Sequence, residues 1–269
     1  MEDILSDIKD HLDTEDFGRI SEGLDQLDLL LSRLLPEIVK FQNGSVLSAS
    51  NKGIHTGNGS GTSLNSFIAL QDSFRFNVAS SLLNYYSLLS SNNSTTQNLD
   101  EDEINNATLK CNRLLQGLLL LHPESRSLFH RQKNMDAILG LFEKNNSIEI
   151  AVSMITTLIH ILLKDLVNFR NFEENYGCSI LIRRFKLSSF DMSKINNHKD
   201  SKKIYTQQDL NFKIIEFLIF YLIDEHTVAN PGSESKAQIK TVEEKSNLFR
   251  KDFPEIDSLI ENLNELKDL

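Results

Sequence analysis

The chain has 269 residues, 40% hydrophobic and 25% charged, with a formal net charge of −10 and a pI near 5.2. That length supports a substantial core, and the acidity speaks against nucleic acid, whose phosphates are bound by clustered lysine and arginine. No apolar run reaches the roughly 20 residues of a membrane span, the acidic Met1-Glu2-Asp3 start is unlike a secretory leader, and two cysteines without a pairing pattern fit a reducing compartment, so a soluble, cytoplasmic protein is expected.

Over residues 17–41, Ile20, Leu24, Leu27, Leu31 and Leu34 recur every three or four positions, which predicts a helix with one apolar face. Residues 43–65 are rich in Gly, Ser, Asn and Thr. Such a segment buries too little to offset its chain entropy, and a mobile loop is expected. Helical periodicity returns over 66–89 through Phe67, Leu70, Phe74, Val78, Leu82, Tyr85 and Leu89. The polar stretch 90–104 ends on Asp100-Glu101-Asp102-Glu103. These four carboxylates lack the spaced ligands and turn glycine of a calcium loop; ahead of a helix they complement its dipole. Further loops are expected at about 188–208 and 227–238. The tail over 243–263 is amphipathic through Leu248, Phe253, Ile256, Leu259, Ile260 and Leu263. It suits a cap on the end of a repeat array, or a partner-binding helix.

From residue 107 onward the sequence repeats itself. Residues 125–142 align with 168–185 at an offset of 43: Phe129 meets Phe172, Ile138 meets Leu181, Leu139 meets Ile182 and Phe142 meets Phe185. The preceding helices agree, with Leu109, Leu115, Leu119 and Leu120 falling on Val152, Leu158, Leu162 and Leu163. A third copy places Ile155, Leu158 and Ile159 on Ile215, Leu218 and Ile219 at an offset of 60, the excess being a polar insertion around 191–203. A period of 43 lies in the range of about 40–47 typical of HEAT and armadillo repeats. The expected fold is all-α, an armadillo/HEAT-like α-solenoid of stacked helical hairpins in one domain over 1–269, each hairpin relying on its neighbours to bury its apolar face.

Several residues invite a chemical reading. His122-Pro123 stands between two helices, where proline ends one and suits the first turn of the next. Ser125, Ser127, His122 and His130 supply the residue types of a serine nucleophile and its base, but no glycine-rich elbow accompanies them. Cys178 and Arg184 have the C-x5-R spacing of cysteine-dependent phosphatases; the bulky interior Ser-Ile-Leu-Ile-Arg argues against a phosphate-cradling loop. The repeat places Cys178 opposite Met135, a core position, and Gly177 opposite Asn134, both residue types that tolerate a left-handed turn before a helix. No His-x3-His or Cys-x2-Cys pair signals a metal, and no nucleotide loop is present, so no cofactor is expected. Arg183, Arg184 and Lys186 form a small basic spot, and Phe217, Phe220 and Tyr221 have the character of core residues with one edge near the surface.

The segments GLLLLHPESRSLF, LQDSFRFNVA, IIEFLIFYLIDE and KTVEEKSNLFRKDFPEIDSLIENL together resemble the fungal cell division control protein 14 family, the septation initiation network component. That family is distinct from the phosphatase sharing its number. The resemblance spans about 70–263. It implies a non-catalytic, armadillo-like subunit partnered by a germinal-centre (STE20-like) protein kinase at the spindle pole body, acting in septation and cytokinesis. No catalytic residue is carried over. Leu70, Gln71, Phe74, Asn77, His122, Pro123, Ser125, Arg126, Phe129, Glu216, Phe217, Phe220, Glu243, Glu244 and Lys245 match as fold-forming positions. Gln71, Asn77, Arg126, Arg183, Arg184, Phe217, Phe220 and Tyr221 are the candidates for contact with the kinase. A general armadillo-type peptide adapter and, more remotely, a cysteine-dependent phosphatase are the alternative readings.

Overall fold

The computed structural model describes residues 1–48, 62–90, 100–186, 205–227, 238–258 and 260–261. All regular elements among them are helices, as the periodicity requires, and no strand occurs among the described residues. The chain forms two compact units, Met1–Ser125 and Arg126–Leu269.

The first unit contains α1 (Glu2–Leu12), α2 (Phe17–Ser48), α3 (Ser63–Gln71), α4 (Val78–Ser90) and α5 (Glu101–Leu121). Helix α1 packs on α2 and α4, α2 packs on α3 and α5, and α4 packs on α5. The face expected on α2 is buried through Ile20, Leu24, Leu27 and Leu34. Leu5, Ile8 and Leu12 bury one side of α1, a spacing of three and four that makes one helical face. Polar groups inside the unit find partners: the Tyr86 hydroxyl donates to Asn112 Oδ1 at 2.6 Å, and Tyr85 and Thr108 share a hydrogen bond at 2.9 Å. Asp100 caps α5 and Glu101, Asp102 and Glu103 occupy its first turn, so the acidic run complements a helix dipole.

Two expectations in this unit change. Residues 43–48 continue α2 instead of starting a loop, and Pro36 lies inside that helix; residues 49–61 of the expected loop lie outside the described residues. The single helix expected over 66–89 is broken between α3 and α4. Gln71 and Asn77 satisfy the chain ends there with side chains, and Phe74, expected in the core, projects from the break.

A 3-10 stretch, Pro123–His130, leads into the second unit in place of the expected α-helix. That unit contains α6 (Gln132–Lys144), α7 (Ile148–Leu162), α8 (Leu166–Glu174), α9 (Gly177–Ile182), α10 (Gln207–Tyr221) and α11 (Val242–Arg250). Helix α7 packs on α6, α8 and α10; α9 packs on α6, α8 and α11. Residues 187–204 and 228–237, most of the last two expected loops, and residues 91–99 lie outside the described residues, as do Leu259 and Leu263 of the tail pattern.

The sequence repeat has a partial physical counterpart in this unit, since Phe185 is half-buried and Ile219 is 44% exposed. Phe129 and Phe172, Ile138 and Leu181, Leu139 and Ile182, and Met135 and Cys178 are all buried. Gln132 and the repeat-equivalent Asn175 bond to one another, Nε2 to Oδ1 at 3.1 Å, and two further bonds join positions one short of the period: Asn171 Nδ2 donates to Phe129 O at 2.5 Å and Asn168 Nδ2 to Arg126 O at 2.9 Å. A further echo escaped the sequence. Asn77 ahead of α4 and Asn134 in α6 each donate Nδ2, at 2.7 Å, to the carbonyl six residues back, on Gln71 and Leu128 respectively. The same side-chain clasp thus closes the corner from a short helix into a longer one in both units.

Gly177 is corrected in detail. No described glycine has positive φ; the left-handed residue is Tyr176, at φ 59° and ψ 23°. Gly177 is needed for a different reason, since a Cβ there would lie 2.3 Å from two carbons of the Phe172 ring.

Candidate functional site

The corner at His122 gathers the most chemistry-bearing side chains of the first unit. Pro123 ends α5, and His122, its C-cap, is left in non-helical backbone with its side chain buried. His122 Nδ1 lies 2.8 Å from Ser125 Oγ, and Nε2 lies 2.9 Å from Asp72 Oδ1 and 3.8 Å from Glu124 Oε2. Asn77 Nδ2 donates to the same Ser125 Oγ at 2.9 Å and to Gln71 O. Gln71 Oε1 in turn accepts the Val78 N–H at 3.0 Å.

Serine, histidine and carboxylate are therefore connected in the order of an acyl-transfer triad, a carboxylate the sequence reading did not supply. The environment is wrong for that chemistry. Ser125 is 3% exposed, and its hydroxyl bonds both His122 and Asn77, so a substrate carbonyl has no path to Oγ. What the arrangement does is mechanical: it ties the α3–α4 break to the end of α5 through buried hydrogen bonds, each costly to leave unmade. Ser127 and His130 do not join it. Ser127 is exposed, and His130 Nε2 pairs with Asp165 at 3.0 Å.

Cys178 lies within α9, so the C-x5-R segment is helical and presents no ring of backbone N–H groups. The thiol is buried, 3.9 Å from the Tyr221 hydroxyl, and burial pushes its pKa up, away from the reactive thiolate. Arg184, which a phosphatase would turn toward the loop, donates instead to Phe142 O at 2.9 Å and Asn145 O at 2.8 Å, its guanidinium 5.3 Å over the Phe142 ring. It satisfies carbonyls at the end of α6, and burial lowers its pKa.

The remaining contact candidates divide by burial. Gln71, Asn77, Arg126, Phe217 and Tyr221 are buried, and Arg126 Nε donates to His160 O at 3.1 Å. Phe220 is half-buried, with its ring centroid 5.8 Å from that of Phe169. Arg183 is exposed and pairs with Glu143 at 3.2 Å.

A buried charge cluster in the second unit was not anticipated. Lys245 of α11 is fully buried, and its ammonium donates to Tyr221 O at 2.6 Å and Ile223 O at 2.5 Å, the carbonyls ending α10. Glu225, also buried, lies 3.6 Å away and pairs with Arg170. Glu173 accepts from the Tyr221 hydroxyl and pairs with Lys240 at 2.5 Å. Burial draws the Lys245 pKa down, against the opposing pull of Glu225. The amphipathic period of the tail hides this lysine, because it falls on the apolar face beside Phe249. Thr241 and Glu244 form a capping box ahead of it, a signal legible in the sequence.

No helix among the described residues is long and apolar enough to cross a membrane. No group of three or more metal-binding side chains occurs among them either. A family model described as "Cell division control protein 14, SIN component" matches residues 1–237 and 230–269. The cell division control protein 14 of Schizosaccharomyces pombe (strain 972 / ATCC 24843) is 29% identical over 112 residues, which cover 42% of this chain and 40% of the relative. The alignment thus spans less than half of the relative's length. No solved structure matches.

Proposed function

The chain belongs to the cell division control protein 14 family, the septation initiation network component, and from that premise we propose that it is a non-catalytic scaffold for a germinal-centre (STE20-like) protein kinase. In this reading the helices form an armadillo-type array that holds the kinase, supports its activity or its localisation at the spindle pole body, and so acts in septum formation and cytokinesis. The observation that carries the reading is the use of Ser125 and Cys178 to hold the fold, set beside the family membership. Ser125 and Cys178 are buried and hydrogen-bonded, and the side chains around them join helix to helix. Corner clasps at Asn77 and Asn134, and bonds between positions 42 or 43 residues apart, support an armadillo-type repeat.

A scaffold raises kinase activity when it binds the active conformation more tightly than the inactive one and so shifts that population. The test is affinity purification of the tagged chain from dividing cells, with the eluate identified by mass spectrometry. Kinase turnover is then measured with and without the purified protein. A STE20-like kinase in the eluate, with higher turnover when the protein is added, is expected. An eluate without such a kinase refutes the proposal, and binding without stimulation reduces it to targeting.

A further inference from the structure

The break between α3 and α4 is held with more side-chain bonds than a plain connection needs. Its backbone is closed by Phe76 N–H and Asn77 N–H, both donating to Ser73 O at 2.9 Å. Asp72 is held by His122, Gln71 by the Val78 amide, and Asn77 by Gln71 O, Ser125 Oγ and the Ser80 amide. Lys9 of α1 adds a bond to Asn77 O at 3.3 Å. At the tip of this fixed turn stand Phe74 and Arg75.

Phe74 is 79% exposed, the most exposed large hydrophobic side chain among the described residues, and its ring adds nothing to the core. Solitary half-exposed leucines are ordinary on a protein surface; an aromatic ring projecting almost entirely into water from a multiply hydrogen-bonded turn is a different arrangement. Arg75 lies beside it, exposed, with its guanidinium 5.0 Å over the Phe76 ring and no carboxylate within ion-pair distance among the described residues. The one carboxylate of the turn, Asp72, is already engaged by His122. On a chain of net charge −10, the tip thus presents an aromatic ring and an uncompensated cation.

We infer that the Phe74–Arg75 turn is the docking knob for the protein partner, Phe74 entering an apolar pocket and Arg75 meeting a carboxylate on the pocket's edge. Aromatic and arginine anchors dominate protein interfaces, and a turn fixed before binding loses little conformational freedom on docking. This assignment also gives the Asp72–His122–Ser125–Asn77 clasp a purpose, since it fixes the direction in which Phe74 points. The inference rests on the kinase-scaffold reading, which names the partner.

The test uses the tagged full chain as wild type, Phe74→Ala and Arg75→Glu. Each is recovered from dividing cells, with the co-purified kinase quantified by mass spectrometry and each protein's thermal melt recorded. Because both side chains are exposed, the melts are expected to coincide. Phe74→Ala is expected to lower kinase recovery by about tenfold or more and Arg75→Glu by about threefold or more, the size of an interface anchor's loss. Kinase recovered equally by wild type and Phe74→Ala overturns the knob and leaves the scaffold reading standing. Kinase absent from the wild-type eluate instead overturns the scaffold reading itself. Sedimentation of the purified chain covers the remaining occupant: a wild-type dimer that Phe74→Ala abolishes assigns the turn to a second copy of the chain and overturns the proposal.

Discussion

Replacing Gly177 by alanine tests whether close packing, and not backbone freedom, is what this position demands. An added Cβ would stand 2.3 Å from Phe172 Cδ2 and Cε2 and 2.7 Å from Cζ. Comfortable carbon contacts begin near 3.5 Å, so the ring or α9 must retreat by about 1.2 Å. Phe172 is fully buried, with Phe217 and Tyr221 rings at 5.4 and 6.0 Å, and has nowhere to go. Overpacking of this kind costs up to about 3 kcal/mol, and alanine's better helix propensity returns at most about 1 kcal/mol. The net loss is about 2 kcal/mol, or a fall of roughly 4–8 °C in Tm for a chain of this size. Gly117 in α5 and Gly140 in α6 are the internal controls, since an added Cβ at either meets nothing within 4 Å. The same chemical change there should stabilise by about 0.5–1 kcal/mol. Far-UV circular dichroism melts of the three single variants decide the matter. A Gly177→Ala protein melting at or above wild type, or a Gly140→Ala protein losing as much, would refute the packing argument.

Lys245→Met should cost about 3 kcal/mol, because it strands buried Glu225 without one partner and leaves two helix-ending carbonyls unbonded; hydrogen exchange should show α11 amides losing protection ahead of α7, and unchanged α11 protection would count against the clasp. Asn77→Ala should cost about 1–3 kcal/mol by freeing Gln71 O and Ser125 Oγ, read as a lower urea midpoint with unchanged slope. Burial pushes the Cys111 thiol up from 9.0 to about 12, so above the unfolded value the unfolded chain releases a proton that the folded chain keeps. Stability should therefore fall as pH rises through that window, by up to about 1.4 kcal/mol per pH unit. Urea titrations at about pH 8 and about pH 10 should show a smaller drop for Cys111→Ala than for wild type, and equal drops would remove the thiol from the account.

Apolar periodicity carried most of the helical fold into the sequence, because burial of one face imposes a period that any reader can count. Leu24, Leu27 and Leu34 on α2, and the pairs Phe129 with Phe172 and Ile138 with Leu181, are buried as their spacing implies. Periodicity is blind to what polar side chains do over long separations. The chain runs on in helical rhythm through Phe74, yet the helix stops at Gln71, because Asn77 and Gln71 offer the backbone partners that a continued helix would not use. Lys245 is hidden for the same reason: its acceptors lie more than 20 residues away, on carbonyls whose freedom depends on where α10 ends. Ser125 and His122 could be paired from their spacing alone, whereas Asp72 joins them from 50 residues upstream of His122. Of the proposed contact residues, Gln71, Asn77, Arg126 and Phe217 are buried positions that the resemblance marks, and a resemblance marks what the fold requires as readily as what a partner touches.

The Lys245 clasp also imposes an order on biosynthesis. The carbonyls that end α10, and the carboxylates of Glu173 and Glu225, are made on the ribosome before Lys240 and Lys245 emerge to meet them. Until then the second unit holds carbonyl acceptors without their donor and two acids that share Arg170 as their cation, a state with a drive to stay open to water. A chain stopped short of Lys240 would be marked by that opening, with the Phe249 site unfilled and apolar surface on view. The cell's quality-control machinery would have a physical basis for removing truncated products before they could occupy a partner.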